Sequence, residues 1–277
     1  MMKSPEGLAG VGKSALEIAQ VRAAESRRGD RLFADPYAEA FVAALPMGGS
    51  ELAATDGVTG AMRGAIHRVI IRTRFFDDYL LRACAAGCRQ VVLLAAGLDT
   101  RGFRLSWPDG VHLFELDLPD VLTFKDGVLT GQTAQPRCTR TTVPADLRED
   151  WATRLTEAGF TPTEPTAWLA EGLLIYLSSD EAARLLTMVG ELSAPDSQLA
   201  SDPGEPLGRH VTEALSTPAM QQYLSLRKGG LGAGTLDWLT THGWDAQAQD
   251  HDSYAASLGR PAPDPSGATL ITATRPC

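Results

Sequence analysis

The pattern of hydrophobic and polar positions divides the chain into short apolar runs and longer amphipathic segments. The short runs have the length of β-strands, and the segments between them have helical spacing. This alternation predicts a mostly parallel, doubly wound α/β sheet. The segments predicted as strands are residues 91–94, 112–116, 137–143, 166–169, 198–201, 244–249 and 268–274. The sheet is therefore expected to have about seven strands, the last two forming a closing pair.

Helices are predicted ahead of the first strand. One covers residues 15–26, with Ser14 as its N-cap. Another follows Asp35, which is its predicted N-cap. A long helix spans residues 61–86.

These elements suggest a helical cap in front of an α/β domain. We assign residues 1–88 to the cap and residues 89–277 to the α/β domain, with a helical insertion at about 203–234 near the C-terminus. A chain of 277 residues is short enough for both parts to be treated as one domain.

The stretch 91–117 reads as the first half of a nucleotide-binding βαβ unit. The turn at 95–97 consists of small residues, and Asp117 follows Gly97 by 20 residues, the interval at which an acid binds ribose hydroxyls. Only Gly97 and Gly102 are present, so the dinucleotide pattern G-x-G-x-x-G is incomplete. A turn with one glycine fits a ligand that has no pyrophosphate, which favours S-adenosylmethionine over NAD.

Acidic residues end successive predicted strands. Asp117, Asp146 and Glu171 each follow a strand directly or within a few residues. Ligands of open α/β sheets bind outside the carboxyl ends of the strands. These three acids are therefore expected to line one crevice.

Residues 7–14 read GLAGVGKS and match the phosphate-binding loop pattern G-x-x-x-x-G-K-[ST]. That loop binds phosphate where it joins a buried strand to a helix. The preceding MMKSPE is too short and polar to be a central strand. We interpret the match as coincidental.

Composition narrows the classes of partner. The net charge of −9 argues against a nucleic-acid partner, and no apolar run is long enough to cross a membrane. The N-terminal residues lack the apolar core of a signal peptide, so a cytoplasmic enzyme is expected. The cysteines are scattered and are interpreted as buried free thiols, with no metal site: Cys84, Cys88, Cys138 and Cys277.

Five ordered motifs resemble the leucine carboxyl methyltransferase-related family of bacterial S-adenosylmethionine-dependent O-methyltransferases. They are ALEIAQVRAAESRR…LFADPYAE, IRTRFFDDYLL, VVLLAAGLDTRGFRL, LFELDLPDVLTFK and AEGLLIYLSSDEAARLL. The resemblance runs from about residue 14 to residue 190 and returns more weakly around residues 236–255. It implies a class I methyltransferase (Rossmann-like) sheet with an N-terminal helical cap.

The resemblance also implies a cofactor site. Arg72 is expected to bind the methionine carboxylate, with Arg22 as a second contact. Glu171 is expected near the methionine amino group, and Gly97 beside the methionine part of the cofactor. The family usually reads Gly-Ala-Gly-Leu-Asp-Thr, and this chain has Ala95 in place of the first glycine.

The nucleoside half of the cofactor is assigned in the same way. Asp117 is expected to bind the ribose hydroxyls, with Leu118 beside it. Asp146 and Leu147 are expected to flank adenine. The part from Pro203 to Gly234 matches no family motif, so the acceptor site is left open.

Two residues are candidates for contact with the methyl acceptor. Tyr176 is expected to orient the acceptor, although a half-buried structural tyrosine is an equally good interpretation. His210, in the insertion, is a candidate base. A carboxylate acceptor needs no base because it is already ionised at neutral pH, whereas a phenol or carbon acceptor would benefit from one.

The favoured function is methyl transfer to an oxygen, with a carboxylate as the preferred acceptor group, of a small molecule or a peptide terminus. One alternative is C- or N-methylation of a specialised metabolite. An NAD-dependent oxidoreductase is disfavoured by the missing glycines. A non-catalytic cofactor-binding module is the remaining alternative.

Overall fold

The computed structural model describes residues 11–44, 60–203, 225–263 and 267–277. Its strands form one seven-stranded sheet in the order β3-β2-β1-β4-β5-β7-β6. The strands are β1 Gln90–Leu94, β2 His112–Asp117, β3 Thr139–Pro144, β4 Thr166–Ala170, β5 Gln198–Ser201, β6 Asp245–Asp250 and β7 Thr269–Thr274. Strand β7 pairs antiparallel with both β5 and β6, and the other strand pairs are parallel. This order confirms the predicted α/β class, including the closing strand pair.

Helices cover both faces of the sheet. In the described ranges they are α1 Val11–Ser26, α2 Ala38–Ala43, α3 Gly60–Ala85, α4 Arg101–Arg104, α5 Pro119–Gly131, α6 Trp151–Glu157, α7 Ser179–Glu191, α8 Thr235–Thr241 and α9 His251–Ser257. None of them is long and apolar enough to span a bilayer.

The central strands form because their residues can be buried on both faces. Every residue of β1 and β4 is buried. Odd and even positions of β1 contribute to separate apolar clusters: Val92 and Leu94 pack on one face, Val91 and Leu93 on the other. The apolar runs of the sequence were therefore a reliable signal for strands.

The beginning of α1 differs from the prediction. The helix already includes Val11, so Ser14 lies inside it and is not its N-cap. Ser14 is instead buried, with its hydroxyl turned towards Tyr176. Residues 7–10 of the GLAGVGKS match lie outside the described ranges. The described part, from Val11 to Ser14, is helical.

Helix α2 begins two residues later than Pro36, at Ala38. The predicted cap nevertheless acts on this turn, because the Asp35 carboxylate accepts hydrogen bonds from the amides of Tyr37 and Ala38, each at 3.1 Å. Helix α9 was not predicted. Its short sequence, HDSYAAS, has little helical periodicity.

The cysteine prediction is correct for two residues and wrong for another. Cys84 and Cys88 are free and buried, and burial raises the pKa of the Cys84 thiol to about 12 and that of Cys88 to about 11. Both thiols therefore stay protonated and unreactive at neutral pH. Cys138 is partly buried, whereas Cys277 is exposed because it follows the last strand.

Candidate active site

A cavity of about 480 Å³ opens at the carboxyl ends of the parallel strands. Helices α1 and α3 contribute residues to its wall, so these N-terminal helices border the crevice of the sheet. The cavity is lined by every predicted site residue that the structure describes: Arg22, Arg72, Ala95, Gly97, Asp117, Leu118, Asp146, Leu147, Glu171 and Tyr176. His210 lies outside the described ranges.

The turn after β1 brings backbone close to the ligand space. Ala95 and Gly97 have φ angles of 54° and 49°, in the left-handed region that favours glycine. A methyl group on Gly97 would lie 3.3 Å from Cβ of Ala15. Gly97 therefore allows α1 to pack directly on the turn.

Asp117 is held at the end of β2 by two backbone amides. The amide of Gly97 donates to Oδ2 at 2.6 Å, and the amide of Leu118 donates to Oδ1 at 2.7 Å. Burial raises the pKa of this carboxyl, although the two amides act in the opposite direction. Each carboxylate oxygen has further lone pairs, so the group can also accept hydrogen bonds from a diol.

The end of the cavity near Asp146 is more exposed to solvent than the end near Asp117. The Asp146 carboxylate accepts hydrogen bonds from the amide and the guanidinium of Arg148, and the side-chain hydrogen bond lowers its pKa. Leu118 is 40% exposed at the cavity wall. An exposed leucine beside a carboxylate is suited to a flat ring that carries polar edges.

Arg72 joins helix α3 to the ends of two strands. Its Nε donates to Glu171 at 3.1 Å and its Nη1 donates to Asp202 at 3.0 Å. Asp202 follows β5 and also accepts a hydrogen bond from the amide of Gly172, at 2.6 Å. The side chain of Arg72 remains 18% exposed on the cavity wall.

A second arginine, Arg101, was not predicted as a site residue. It is almost fully buried and forms ion pairs with Asp77 at 2.6 Å, with Glu171 at 2.7 Å and with Asp99. These partners are far apart in the sequence, so no local pattern indicated the cluster. The only local signal was the single acid Asp99, two residues before Arg101 in the motif LDTRGFR.

The ion pairs keep the acids of this cluster charged. Burial is the largest influence on Asp99 and opposes its ionisation, but Arg101, Lys125, Arg104 and the backbone amide of Arg101 together outweigh it and lower the pKa of Asp99 to about 2. Burial likewise opposes ionisation of Glu171, whose pKa is lowered by Arg101 and Arg72. Both carboxylates are therefore ionised at neutral pH and offer fixed negative charge to the cavity.

Arg22 on α1 is buried and does not lie on a solvated face of the helix. Its Nε donates to Asp35 at 2.8 Å, and its Nη2 donates to the carbonyl oxygen of Leu98 at 2.6 Å. It thus ties α1 to the turn after β1. Glu25 is also buried, and its carboxylate accepts a hydrogen bond from the amide of Leu32 at 2.8 Å.

Two hydroxyl groups and a carboxyl group face the cavity near the start of α1. The hydroxyl oxygens of Ser14 and Tyr176 are 2.9 Å apart. Tyr176 ends a short 3₁₀ turn, Leu174–Tyr176, that follows Glu171. Glu17, one helical turn beyond Ser14, also lines the cavity, and burial raises the pKa of its carboxyl.

These features fit an amino acid linked to a nucleoside. Arg72 can bind a carboxylate, and the ionised Glu171 can bind an ammonium group. Asp117 can accept from ribose hydroxyls, and the backbone at Gly97 can approach the chain between the two ends.

Comparison with known families agrees with this fit. The family model described as leucine carboxyl methyltransferase matches residues 15–190. A protein of Frankia alni with the provisional name S-adenosyl-L-methionine-dependent methyltransferase is 53% identical over 272 residues, covering 96% of this chain and 95% of that protein. A Mycobacterium tuberculosis protein with the same provisional name is 39% identical over 290 residues, covering 96% and 95% of the two chains.

Solved structures with low sequence identity show the same fold. A DUF574 family protein of Streptomyces avermitilis superposes with a TM-score of 0.61 at 15% identity, covering 93% of this chain and 97% of that chain. A protein of Thermobifida fusca, provisionally described as a methyltransferase, gives a TM-score of 0.54 at 18% identity, covering 94% and 95%.

The resemblance seen in the sequence motifs is thus confirmed across most of the chain. The predicted cofactor is confirmed as well, because close relatives across nearly the full length are named for S-adenosylmethionine. The chain belongs to the leucine carboxyl methyltransferase family and is an S-adenosylmethionine-dependent methyltransferase.

Proposed function

We propose that the enzyme transfers the methyl group to a carboxylate oxygen of a small molecule. The observation that carries this proposal is the pair of hydroxyls of Ser14 and Tyr176, 2.9 Å apart on the cavity wall. Hydroxyl groups donate hydrogen bonds to a carboxylate and hold it in place without removing a proton. The description of the matching family, a carboxyl methyltransferase, supports the same acceptor.

Methyl transfer to a carboxylate requires little of the protein beyond the correct positioning of the two reacting groups. S-adenosylmethionine, when bound, supplies a methyl group on a sulfonium sulfur. An acceptor carboxylate is already ionised at neutral pH, so a new C–O bond replaces the C–S bond and no proton is moved. Holding the two reacting atoms in line and close together can then supply much of the rate. We assign this positioning to Tyr176, with Ser14 supporting its hydroxyl.

The cofactor roles are part of the proposal. Arg72 would bind the methionine carboxylate and Glu171 the amino group, and their mutual ion pair keeps both groups in place before the ligand arrives. Asp117 would bind the ribose hydroxyls. Asp146, together with Leu118 and Leu147 on the open side of the cavity, would flank adenine. Arg22 would act on this site through the turn at Leu98.

The wall of the cavity favours a small acceptor over a peptide terminus. Apolar side chains of the cap, among them Ile18, Ile66 and Val69, line the same cavity as the hydroxyl pair. The cavity of about 480 Å³ would also hold the cofactor, so the space left for the acceptor is that of a small molecule. An acceptor with an apolar body and a carboxylate suits these surroundings.

Glu17 supports a second candidate, methylation of a phenolic oxygen. Its carboxyl lines the cavity, and burial raises its pKa towards the operating pH, as is common for general bases. A phenol would need such a base because its own pKa is near 10. The two candidates therefore differ in whether Glu17 is required.

The test compares Glu17→Gln and Tyr176→Phe in an assay of methyl transfer from labelled S-adenosylmethionine to a panel of carboxylic acids and phenols. We expect carboxylic acids to be methylated, Glu17→Gln to keep wild-type kcat, and Tyr176→Phe to lose on the order of tenfold in kcat/KM through one lost hydrogen bond. Turnover restricted to phenols, with a loss of 10² or more in Glu17→Gln, would replace the first candidate by the second.

A further inference from the structure

Three arginines line the same cavity on the side away from Asp117. Arg68 and Arg72 lie four residues apart on α3, so they are neighbours on one face of that helix. Arg227 reaches the cavity from the segment that precedes α8. Arg72 is engaged by Glu171 and Asp202, which leaves Arg68 and Arg227 outside the cofactor contacts assigned above.

The segment that carries Arg227 is held firmly against the loop after β4. The amides of Lys228 and Gly229 donate to the carbonyl oxygen of Ile175 at 2.8 and 3.0 Å, and the amide of Gly230 donates to Leu177 at 2.9 Å. Gly230 has a φ of 56°, and a Cβ at that position would lie 2.5 Å from the carbonyl oxygen of Leu174. The backbone that follows Arg227 is therefore fixed beside the cavity wall to which Arg227 contributes.

Arg68 has buried hydrogen-bonding capacity that the protein leaves unused. Its Nη2 is buried, and no acceptor among the described residues forms a hydrogen bond with it. A buried guanidinium nitrogen without an acceptor costs free energy, which an arriving anion would recover. Burial and the nearby charges of Arg227 and Arg72 lower the pKa of Arg68, with Asp252 as the opposing charge.

Arg68 lies on the β7 side of the cavity, away from Asp117 at the end of β2. Its carbonyl oxygen lies 3.4 Å from Nε2 of His251, the first residue of α9, and the amide of His251 donates to Ala268, just before β7. In the order β3-β2-β1-β4-β5-β7-β6, strand β7 lies on the opposite side of β4 from β2, which carries Asp117. Arg68 is therefore remote from the proposed ribose site and about 6 Å along α3 from Arg72.

We propose that Arg68 and Arg227 bind a second oxyanion of the acceptor, a group that is held but not methylated. This inference rests on the proposed methylation of a carboxylate. A guanidinium that donates hydrogen bonds to both oxygens of a carboxylate lowers the nucleophilicity of those oxygens. Such a contact therefore suits a carboxylate that is bound but does not react. The acceptor class is a small carboxylic acid with a further carboxylate or phosphate group.

The test measures binding to the protein saturated with S-adenosylhomocysteine. Calorimetric titration compares glutarate and inorganic phosphate with butyrate, which has a single carboxylate. The variants are Arg68→Gln and Arg68→Lys, with Arg82→Gln as a matched control because Arg82 is exposed on the same helix.

We expect glutarate or phosphate to bind wild type and Arg82→Gln at least tenfold more tightly than butyrate. Arg68→Gln should abolish this preference and Arg68→Lys should keep part of it, while the affinity for S-adenosylhomocysteine changes less than threefold. The Tm of the ligand-free Arg68→Gln protein should not fall, because the substitution removes repulsion between arginines. The stronger of glutarate and phosphate identifies the second group.

Equal binding of all three anions to wild type, or an unchanged preference in Arg68→Gln, would overturn the proposal. The proposal would also be overturned if Arg68→Gln lost affinity for S-adenosylhomocysteine by the same factor as for the anion, since Arg68 would then belong to the cofactor site. Turnover assays distinguish failure of the anion-binding proposal from failure of the proposed function. If the anion preference depends on Arg68 but no acid is methylated, only the proposed methylation of a carboxylate is contradicted.

Discussion

At the scale of single residues, Ala95 shows how a ligand-binding turn carries strain. Its φ of 54° places Cβ close to the following carbonyl, an arrangement that disfavours every residue except glycine. The family's usual glycine is absent here, so the chain accepts this strain in the turn after β1. The sequence showed the alanine but not its backbone angle.

Ala95→Gly is therefore expected to stabilise the fold. Relief of the left-handed strain should outweigh the added flexibility of the unfolded chain and raise the free energy of unfolding by about 1 kcal/mol. Urea denaturation of the purified protein measures this. The control is Ala96→Gly, whose φ is not positive and which should destabilise the fold; a loss of stability in both variants would contradict the strain.

Asp117→Ala should weaken the binding of S-adenosylhomocysteine by about 1–3 kcal/mol, because the ribose loses its charged hydrogen-bond acceptor. Calorimetry gives the affinity directly. Asp120→Ala is a suitable control, since Asp120 is exposed on the first turn of the following helix. Unchanged affinity in Asp117→Ala would place the ribose elsewhere.

At the scale of elements, a buried charge cluster joins α5 to the sheet. Lys125 on α5 is completely buried, and its Nζ donates to Glu115 of β2 at 2.7 Å. Arg140 of β3 donates to the same carboxylate oxygen at 2.6 Å. The helix is thus fixed to two strands by charge as well as by apolar packing.

Lys125→Met should destabilise the protein by about 3 kcal/mol, because Glu115 would stay buried with one cationic partner removed. Chemical denaturation measures the change. In the double variant Glu115→Gln, Lys125→Met, part of that loss should be regained, since the uncompensated carboxylate is gone. Additive losses in the double variant would show that the two side chains do not depend on each other.

The elements themselves were largely predictable, and the contacts between them were not. Strand β5 spans the predicted residues 198–201, which follow the helix–strand alternation of the preceding units and bury Leu199 and Ala200. The start of α1 was misplaced because a serine before an apolar run resembles an N-cap even when the helix extends further back.

The convergence of the predicted cofactor residues on one cavity was predictable, whereas their roles toward the cofactor stay predictions. Acids at strand ends mark the crevice of any parallel sheet, and the resemblance supplied Arg72. The cluster of Arg101, Asp77 and Asp99 and the approach of Arg227 depend on long-range packing that leaves no local periodicity. The division into a cap and an α/β domain stays a prediction.

At the scale of the whole molecule, the ion pairs of one buried arginine, Arg101, connect separate parts of the protein. Arg101 bonds to Asp77 on α3, to Asp99 in the turn after β1 and to Glu171 after β4. Helix α3, the turn after β1 and the end of β4 therefore share one network of charges, and its loss should affect the whole fold.

This network predicts a specific acid sensitivity. The pKa of Asp99 is lowered from 3.8 to about 2, so its ionisation stabilises the folded protein above pH 4, and this contribution is lost as pH falls from about 4 to about 2. The shift corresponds to roughly 2 kcal/mol. Asp99→Asn should flatten the dependence of unfolding free energy on pH in that window, measured by denaturation at several pH values. An unchanged slope would assign the acid sensitivity to other groups.

Helix α1 closes the cavity from outside the strand–helix units of the sheet. Its Ser14 meets Tyr176, and its Ala15 lies against the turn at Gly97. A ligand in the cavity therefore adds contacts that stabilise α1 in this position, and α1 should open locally more often when the cavity is empty. The backbone amides of α1 should accordingly exchange hydrogen for deuterium more slowly when the site is filled. Hydrogen–deuterium exchange of α1, measured by mass spectrometry, should therefore show whether the site is occupied even before the acceptor is known.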